Sequence, residues 1–348
     1  MNEVSNMPGT FTKGRKRLDA LWQRGSAFLG CDLAIMGGAM TWISERHLVS
    51  AISNAGGFGV VACGGMTPDL LKAEIAATME MTGKPFGVNL ITLHPDLDEL
   101  IDVCSAAHVS HVVLAGGLPS SAAIQKIKDG GAKVICFAPA LVLAKKLIRS
   151  GVDALVIEGS EAGGHIGPVS TAVLVQEILP HVDAVPVFVA GGIGRGETIA
   201  SYLEMGAAGV QLGTRLVCAD ESIAHEKFKK AFIRAPARDA ITTVQLNARF
   251  PVIPVRALKN EGTEKFMEIQ RQTIARFDAG ELDQKEAQLV IERFWAGALR
   301  RAVIDGDVET GSMMAGQCVG LVTREEPVSD ILAELVQQAS VLLEGRGA

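Results

Sequence analysis

The feature that most constrains the fold is an eightfold alternation of short apolar runs with amphipathic segments. The apolar runs are continuous and lack polar alternation, so both faces of each predicted strand should be buried, as in a parallel sheet covered by helices. Eight β–α repeats predict a closed (β/α)8 TIM barrel. The predicted strands are Leu33–Met36, Gly59–Ala62, Phe86–Leu90, His111–Leu114, Lys133–Phe137, Ala154–Ile157, Val185–Ala190 and Gly209–Leu212.

An open, doubly wound sheet is the alternative, because it would show a similar alternation of strands and helices. No GxGxxG sequence follows the first predicted strand, which weakens a dinucleotide-binding reading. Abundant glycine (38 residues) and scarce aromatics (5%) fit tight βα turns. We therefore predict the barrel.

The sequence changes character after the eighth predicted strand. About a third of residues 219–310 are charged, against 21% of the whole chain. Two segments within it, Glu264–Phe277 and Leu282–Ala298, have the composition of helices. We predict a smaller helical lid subdomain, inserted into the barrel, that covers the substrate side of the site.

The remaining chain is assigned to the barrel and to a short extension. Residues 23–218 and 311–348 should form the barrel, with an amphipathic helix at Val328–Leu343 completing its outer layer. Residues 1–22 are interpreted as an N-terminal extension whose role the sequence does not reveal.

Charge, hydropathy and cysteine spacing exclude several classes of protein. A net charge of -6 leaves no basic surface for nucleic acid. No apolar run approaches the ~20 residues needed to span a membrane, and the first residues lack a secretory signal, so a cytoplasmic location is expected. The cysteines form no CxxC pair, so no metal site is predicted and buried, unreactive thiols are expected. They are Cys31, Cys63, Cys104, Cys136, Cys218 and Cys318.

Glycine-rich turns follow the seventh and eighth predicted strands. Ala190–Gly194 reads AGGIG and Gln211–Arg215 reads QLGTR. In TIM barrels the loops after these two strands commonly hold a phosphate group at the active-site face. Exposed backbone N–H groups without a nearby Cβ suit a phosphate dianion, so we predict a phosphate site here. The alternative is tight βα packing without a ligand.

The loop after the sixth predicted strand contains one histidine between glycines. Its sequence, Glu158–Gly167, reads EGSEAGGHIG, with His165 as the eighth of these ten residues. An imidazole can donate or accept a proton near neutral pH, and the flanking glycines would let it reach over a flat cofactor. We therefore predict a catalytic role for His165. The other histidines lack such a setting and are read as surface or packing residues: His47, His94, His108, His111, His181 and His225.

Together these motifs resemble the nitronate monooxygenase superfamily, which includes 2-nitropropane dioxygenases and the FMN-dependent enoyl-acyl-carrier-protein reductase II. The resemblance runs from about Cys31 to Leu335, and its GGHIG, RALKN and GSMMAGQ segments look most like the enoyl reductase branch. The segments that carry it are Ser53–Gly59, Lys84–Asn89, Glu161–Gly167, Ala190–Ile193, Val210–Arg215, Val255–Asn260 and Gly311–Gln317.

The resemblance implies FMN across the barrel mouth, with NADH or NADPH as reductant. His165 would lie at the catalytic centre, and Gly163 and Gly164 beside it would belong to the cofactor-binding residues. A second group would line the ribityl chain or the isoalloxazine ring: Met40, Asn89, Glu158 and Gln211. The phosphate would be held by Gly191, Gly192, Gly213 and Thr214.

One position departs from the family pattern. The family usually has Gln where this chain has Gly37, in the first strand. The resemblance implies that this change removes a side chain near the flavin.

Three reactions share this scaffold and stay open at the level of sequence. NAD(P)H-dependent reduction of an activated C=C bond, such as an enoyl thioester, is favoured. Oxidation of alkyl nitronates by O₂ is the alternative, and NAD(P)H:quinone reduction is a further one. A non-enzymatic flavin-binding protein is disfavoured by the position of His165.

The expected partners are a small-molecule or acyl-thioester substrate, an acyl carrier protein in the enoyl reductase case, and a second copy in a homodimer. Arg256 and Lys259 lie in the RALKN segment. They are expected either to anchor the lid or to meet an anionic carrier.

Overall fold

The computed structural model describes residues 12–244, 246–247 and 254–346. Within these ranges eight parallel strands form one sheet in the order β1-β9-β8-β6-β5-β4-β3-β2, and three short strands form a second sheet. The strands in chain order are β1 (Ile35–Gly37), β2 (Gly59–Ala62), β3 (Phe86–Ile91), β4 (His111–Ala115), β5 (Lys133–Phe137), β6 (Ala154–Glu158), β7 (Gly164–His165), β8 (Val187–Ala190), β9 (Gly209–Leu212), β10 (Ala240–Thr242) and β11 (Val255–Leu258).

A parallel bridge between Met36 and Phe58 joins the two ends of the eight-stranded sheet. Gly37 N donates to Phe58 O at 2.8 Å, and Phe58 N donates to Ile35 O at 2.9 Å. These bonds close the cylinder, so the predicted TIM barrel is confirmed. The first strand begins two residues later than the sequence predicted, at Ile35.

Helices follow the barrel strands and cover their outer faces. Thr67 and Ser120 begin two of them by accepting backbone N–H bonds, and Asn260 and Asp283 form reciprocal capping boxes on two others. The helices are α1 (Thr12–Leu29), α2 (Arg46–Asn54), α3 (Pro68–Met81), α4 (Leu97–Ala106), α5 (Ser121–Asp129), α6 (Leu141–Arg149), α7 (Thr171–Ile178), α8 (Gly196–Glu204), α9 (Glu226–Arg234), α10 (Glu261–Asp278), α11 (Gln284–Val303) and α12 (Val328–Gly345).

The apolar core has an inner and an outer part. Met36, Phe58 and Phe188 are fully buried inside the barrel, while a larger cluster fills the layer between strands and helices. Burying one such side chain contributes about 1.5–3 kcal/mol, which makes the barrel a rigid support for the loops at its mouth.

Helix α1 closes the lower end of the barrel, opposite the mouth. Leu29, at its last turn, belongs to the inner core cluster. The carbonyl of Phe28 accepts bonds from His111 Nε2 at 3.0 Å and from Lys133 Nζ at 2.7 Å. Residues 12–22 of the predicted extension are thus part of a helix that packs on the barrel, whereas residues 1–11 lie outside the described residues.

The segment between β9 and α12 contains strands as well as the predicted helices. Strand β11 pairs antiparallel with β10 on one edge and with β7 on the other. The division into barrel and lid stays a prediction. Across the described ranges, no helix is long and apolar enough to cross a membrane.

Candidate active site

The mouth of the barrel carries three predicted polar residues at the ends of its strands. Glu158 ends β6, in register with Ala190, which is itself in register with Gln211 of β9. Asn89, in β3, is buried and donates from Nδ2 to Val113 O at 3.1 Å. The barrel topology therefore brings these three residues to one end of the cylinder.

The two glycine-rich turns present backbone donors at that same end. Gly191 and Gly192 have φ values of 97° and 71°, which favour glycine, and they precede helix α8. Thr214 opens a 3-10 turn directly after Gly213. Within the described ranges, the amides of Gly192, Gly213 and Thr214 donate to no protein acceptor.

Unpaired amides at two adjacent turns fit a phosphate ester. A Cβ added at Gly213 would lie 3.6 Å from Met40 Sδ, which is ordinary van der Waals contact. Met40 therefore lies beside Gly213. A Cβ at Gly38 would lie 3.3 Å from Gln211 Nε2, so the amide of Gln211 lies beside Gly38, two residues before Met40.

The return segment from Met313 to Gln317 connects the loops around this region. Gly316 N donates to Thr214 Oγ1 at 2.9 Å, and Gln317 N donates to Glu161 O at 2.9 Å. The segment therefore joins the turn after β9 to the loop after β6. The sequence resemblance included this segment but assigned it no position.

The loop after β6 is closed at its base by two sets of bonds. Ser160 N donates to Val169 O at 2.8 Å. The carboxylate of Glu161 accepts bonds from both the amide and the hydroxyl of Thr171, each at 2.9 Å. Because both ends are tied to the barrel, the residues between them form a defined loop with His165 near its centre.

His165 lies on β7, a strand of two residues, and its side chain is exposed. Its backbone is in register with Val255 of β11, and Ile166 N donates to Pro254 O at 2.9 Å. The lid segment therefore pairs directly with the residue that the sequence singled out for catalysis.

The glycines around His165 lie in different backbone environments. A Cβ at Gly163 would lie 2.6 Å from Gly316 N, so a side chain there would collide with the return segment. Gly164 has a φ of 80°, and Gly167 has open space around it. The need for glycine at Gly163 thus comes from backbone packing against the return segment.

Glu158 lies in an environment that disfavours charge. Burial raises the pKa of its carboxyl to about 8, and burial is its sole resolved cause. A nearby cation would have lowered this pKa. The carboxyl of Glu158 is therefore largely protonated near neutral pH.

Gly37 differs from the expectation drawn from the family pattern. A Cβ at this position would lie 2.5 Å from Ile52 Cδ1, in helix α2. Residue 37 therefore faces the helical layer outside the strand, and the expectation of a side chain beside the flavin is wrong for this backbone.

Arg256 and Lys259 have different environments. Arg256 is buried, and its Nε donates to Ser160 O at 2.9 Å. Lys259 is exposed. The structure thus places Arg256 in a contact between β11 and the loop after β6.

The six cysteines are free thiols, and all but the partly exposed Cys31 are buried. Burial raises the pKa of each one, for example to about 12 for Cys104, so their thiolates are scarce near neutral pH. No group of three or more candidate metal ligands occurs among the described residues.

Residues 24–338 match the sequence model of the family described as nitronate monooxygenase. The chain belongs to this family. It is an oxidoreductase of this family.

Solved structures give the same relationship. FabK from Thermotoga maritima superposes with a TM-score of 0.83 at 36% sequence identity, covering 93% of this chain and 98% of that one. Nitroalkane oxidase from Streptomyces ansochromogenes superposes with a TM-score of 0.75 at 24% identity, covering 92% and 99%, and shows a shared fold.

Curated relatives carry two kinds of name. A protein from Mycobacterium tuberculosis, 29% identical over 92% of this chain and 96% of its own length, is named (3aS,4S,5R,7aS)-5-hydroxy-7a-methyl-1-oxo-octahydro-1H-indene-4-carboxyl-CoA dehydrogenase. A protein from Staphylococcus saprophyticus, 25% identical over 92% of this chain and 98% of its own length, is named probable nitronate monooxygenase.

Proposed function

We propose that this protein is an FMN-dependent reductase that uses NADH or NADPH to reduce an activated C=C bond in an acyl thioester. The observation that carries the proposal is the pair of turns with unpaired amides at Gly192 and Gly213–Thr214, joined through Gly316 to the loop that bears His165. The likeness to FabK at 36% identity supports the same branch of the family.

The residues fit FMN at three points. The amides of the two turns would bind the phosphate, because a charged acceptor strengthens N–H hydrogen bonds. Met40 and Gln211 border the adjoining region, with Asn89 and Glu158 at the strand ends. Bound FMN supplies the relay of a hydride from the nicotinamide to the substrate.

His165 would handle the proton. Reduction of an enoyl thioester requires a proton at the α-carbon or its enolate oxygen, and an exposed imidazole on β7 can deliver one. The backbone pairing of β7 with β11 holds the position from which it acts. The lid segment would limit the access of water to that position.

One carboxyl among the candidate cofactor residues has a strongly shifted pKa. The pKa of Glu158 is raised to about 8 by burial, with no cation offsetting it. Nitronate oxidation stays the second candidate, because the family description and the staphylococcal relatives carry that name.

Anaerobic mixing separates the candidates. Purified protein should carry FMN, and NADH or NADPH should bleach its absorbance near 450 nm, after which an enoyl thioester restores the colour. Thioesters of coenzyme A and of an acyl carrier protein are tested side by side, with a quinone as third oxidant. Bleaching by an alkyl nitronate and not by either nicotinamide would contradict the proposal.

Replacing His165 with Ala tests the proton step. We expect FMN to stay bound and its reduction by NADH to change little, because that step needs orientation and no proton donor. Reoxidation by the thioester should slow by about 10²–10⁴-fold. His181→Ala, at another exposed histidine, is the matched control. Normal reoxidation in His165→Ala would contradict the catalytic role.

A further inference from the structure

Strand β11 contacts three parts of the molecule at once. Its residues Arg256–Leu258 pair with β10 on one edge. On the other edge Val255 and Arg256 are in register with His165 and Gly164, and the chain beyond them meets the return segment. The contact between β11 and the return segment includes a bond from Leu258 N to Met313 O at 2.9 Å. The lid strand thus lies between the His165 loop and the rest of the lid.

The side chain of Arg256 bridges the same elements. Its Nε donates to Ser160 O at 2.9 Å, and its Nη1 donates to Ala240 O at 2.5 Å. Ser160 begins the loop after β6, and Ala240 begins β10 and is buried. A guanidinium has several donors in a rigid plane and can hold both carbonyls at once.

The two bonds and the strand pairing restrain the loop on both sides of His165. Ser160 is held from the N-terminal side by the Arg256 side chain. Ile166 is held from the C-terminal side by Pro254 O. The Cα position of His165 therefore depends on the docking of β11.

From this geometry we propose that Arg256 is a positioning residue: it binds the base of the His165 loop to the lid and so fixes the place from which His165 acts. The docked lid and the active position of His165 are then one state of the molecule. In this role Arg256 acts on the reaction through His165, by way of its two bonds to backbone carbonyls. The role of His165 in this inference rests on the proposed function. The packing of Arg256 against the His165 loop does not depend on it.

Hydrogen exchange measures the packing without any reaction. In Arg256→Met, an unbranched apolar side chain loses both carbonyl bonds, and the Ile166 amide should exchange at least about tenfold faster than in the wild-type protein. Arg256→Lys has one ammonium group and should give an intermediate rate. Arg238→Met is the matched control, since Arg238 is highly exposed on the segment before β10. Unchanged exchange at Ile166 in both Arg256 variants would overturn the proposal.

Flavin half-reactions measure the positioning. A displacement of about 1 Å can cost about 10²-fold in rate, so Arg256→Met should slow reoxidation by the second substrate by about 10–100-fold and change NADH-driven reduction by less than about threefold. FMN content should remain that of the wild-type protein. Equal slowing of both half-reactions would overturn the proposal. If Arg256→Met does not fold, Arg256→Lys is carried through the same measurements.

A double-mutant cycle then tests whether Arg256 acts through His165. In the His165→Ala background, Arg256→Met should have no further effect on reoxidation, because the group that it positions is absent. Independent, multiplicative effects would overturn the proposal. If nitronate or quinone proves to be the oxidising substrate, the cycle is run with that compound. Faster Ile166 exchange then supports the packing although the reductase proposal has failed.

Discussion

At the residue scale, the two glycine turns differ in how cleanly they test the phosphate site. Gly192 has a φ of 71°, and a Cβ there would lie 3.0 Å from Glu161 Cβ. A substitution at Gly192 would therefore strain the backbone as well as block a ligand. Gly213 has a φ of -118° and ordinary contact with Met40. Gly213 is the better position for an experiment.

Gly213→Val should weaken FMN binding about tenfold or more while the melting temperature stays close to that of the wild-type protein. The added side chain takes up space beside the unpaired amides, and the charge-assisted bonds to the phosphate are lost or lengthened. Flavin fluorescence on titration of the apoprotein gives Kd. Gly83→Val, at a glycine with open space and no positive φ, is the control. An unchanged Kd in Gly213→Val would mean that the phosphate lies elsewhere.

Residues of the site were predictable from sequence where a motif placed them at a strand end. Glu158, Gln211 and the glycines after β8 and β9 follow apolar runs that are easy to recognise. The contact between Glu161 and Thr171 could not be predicted from the sequence. It depends on the closure of a loop, which leaves no periodic pattern of apolar residues. Gly316 was within the resemblance, but its contact with Thr214 spans about a hundred residues of chain.

At the element scale, the longer strands and helices could be located from the sequence, whereas the shortest strands could not. The eight barrel strands were located within about two residues, and α12 was predicted to begin at Val328, as it does. Strands β7 and β10 have two and three residues, too few to show an alternating pattern. The lid segment was therefore predicted as helical, and the sheet that joins it to His165 was missed. That sheet is formed by tertiary pairing, which outweighs local propensity.

The docking of α1 on the lower end of the barrel should depend on pH through His111. This residue is buried between Phe28 and Phe58, and burial lowers its pKa to about 4. The unfolded chain binds a proton at pH values below about 6.5, where the folded protein still does not. Stability is therefore fully present above about pH 6.5 and is lost as the pH falls towards 4. The loss should be on the order of 3 kcal/mol at pH 4, at about 1.4 kcal/mol per pKa unit.

Urea unfolding of the wild-type protein and His111→Gln between pH 4.5 and 7.5 measures this contribution. Glutamine can donate to Phe28 O but does not titrate, so the variant should show a flatter dependence of the unfolding free energy on pH. His181→Gln, at an exposed histidine, should follow the wild-type curve. Parallel curves for His111→Gln and wild type would show that His111 does not carry the effect.

At the scale of the whole molecule, helix α12 connects the two ends of the chain to the candidate site. It packs on α1, at the start of the described chain, and on α8, which follows the phosphate-type turn. In both contacts the backbone of α12 lies close to a glycine of the neighbouring helix. A Cβ at Gly14 would lie 2.0 Å from Ser340 O, and a Cβ at Gly196 would lie 1.9 Å from Leu335 O. The position of α8 therefore depends on its packing against α12.

Gly14→Val and Gly196→Val should both destabilise the protein, by about 1–3 kcal/mol each, because a side chain at either position separates α12 from its neighbour. Their effects on FMN should differ. Gly14 lies on α1, remote from the mouth, so its variant should keep wild-type affinity for FMN. Gly196 is the first residue of α8, two residues after Gly194, so displacement of the helix should also move the phosphate-binding turn and weaken FMN binding. Thermal unfolding of the apoproteins measures the stability, and flavin titration measures the affinity for FMN. Gly83→Val is the control for both measurements. Equal FMN affinities in the two variants would show that the turn keeps its geometry independently of how α8 packs on α12.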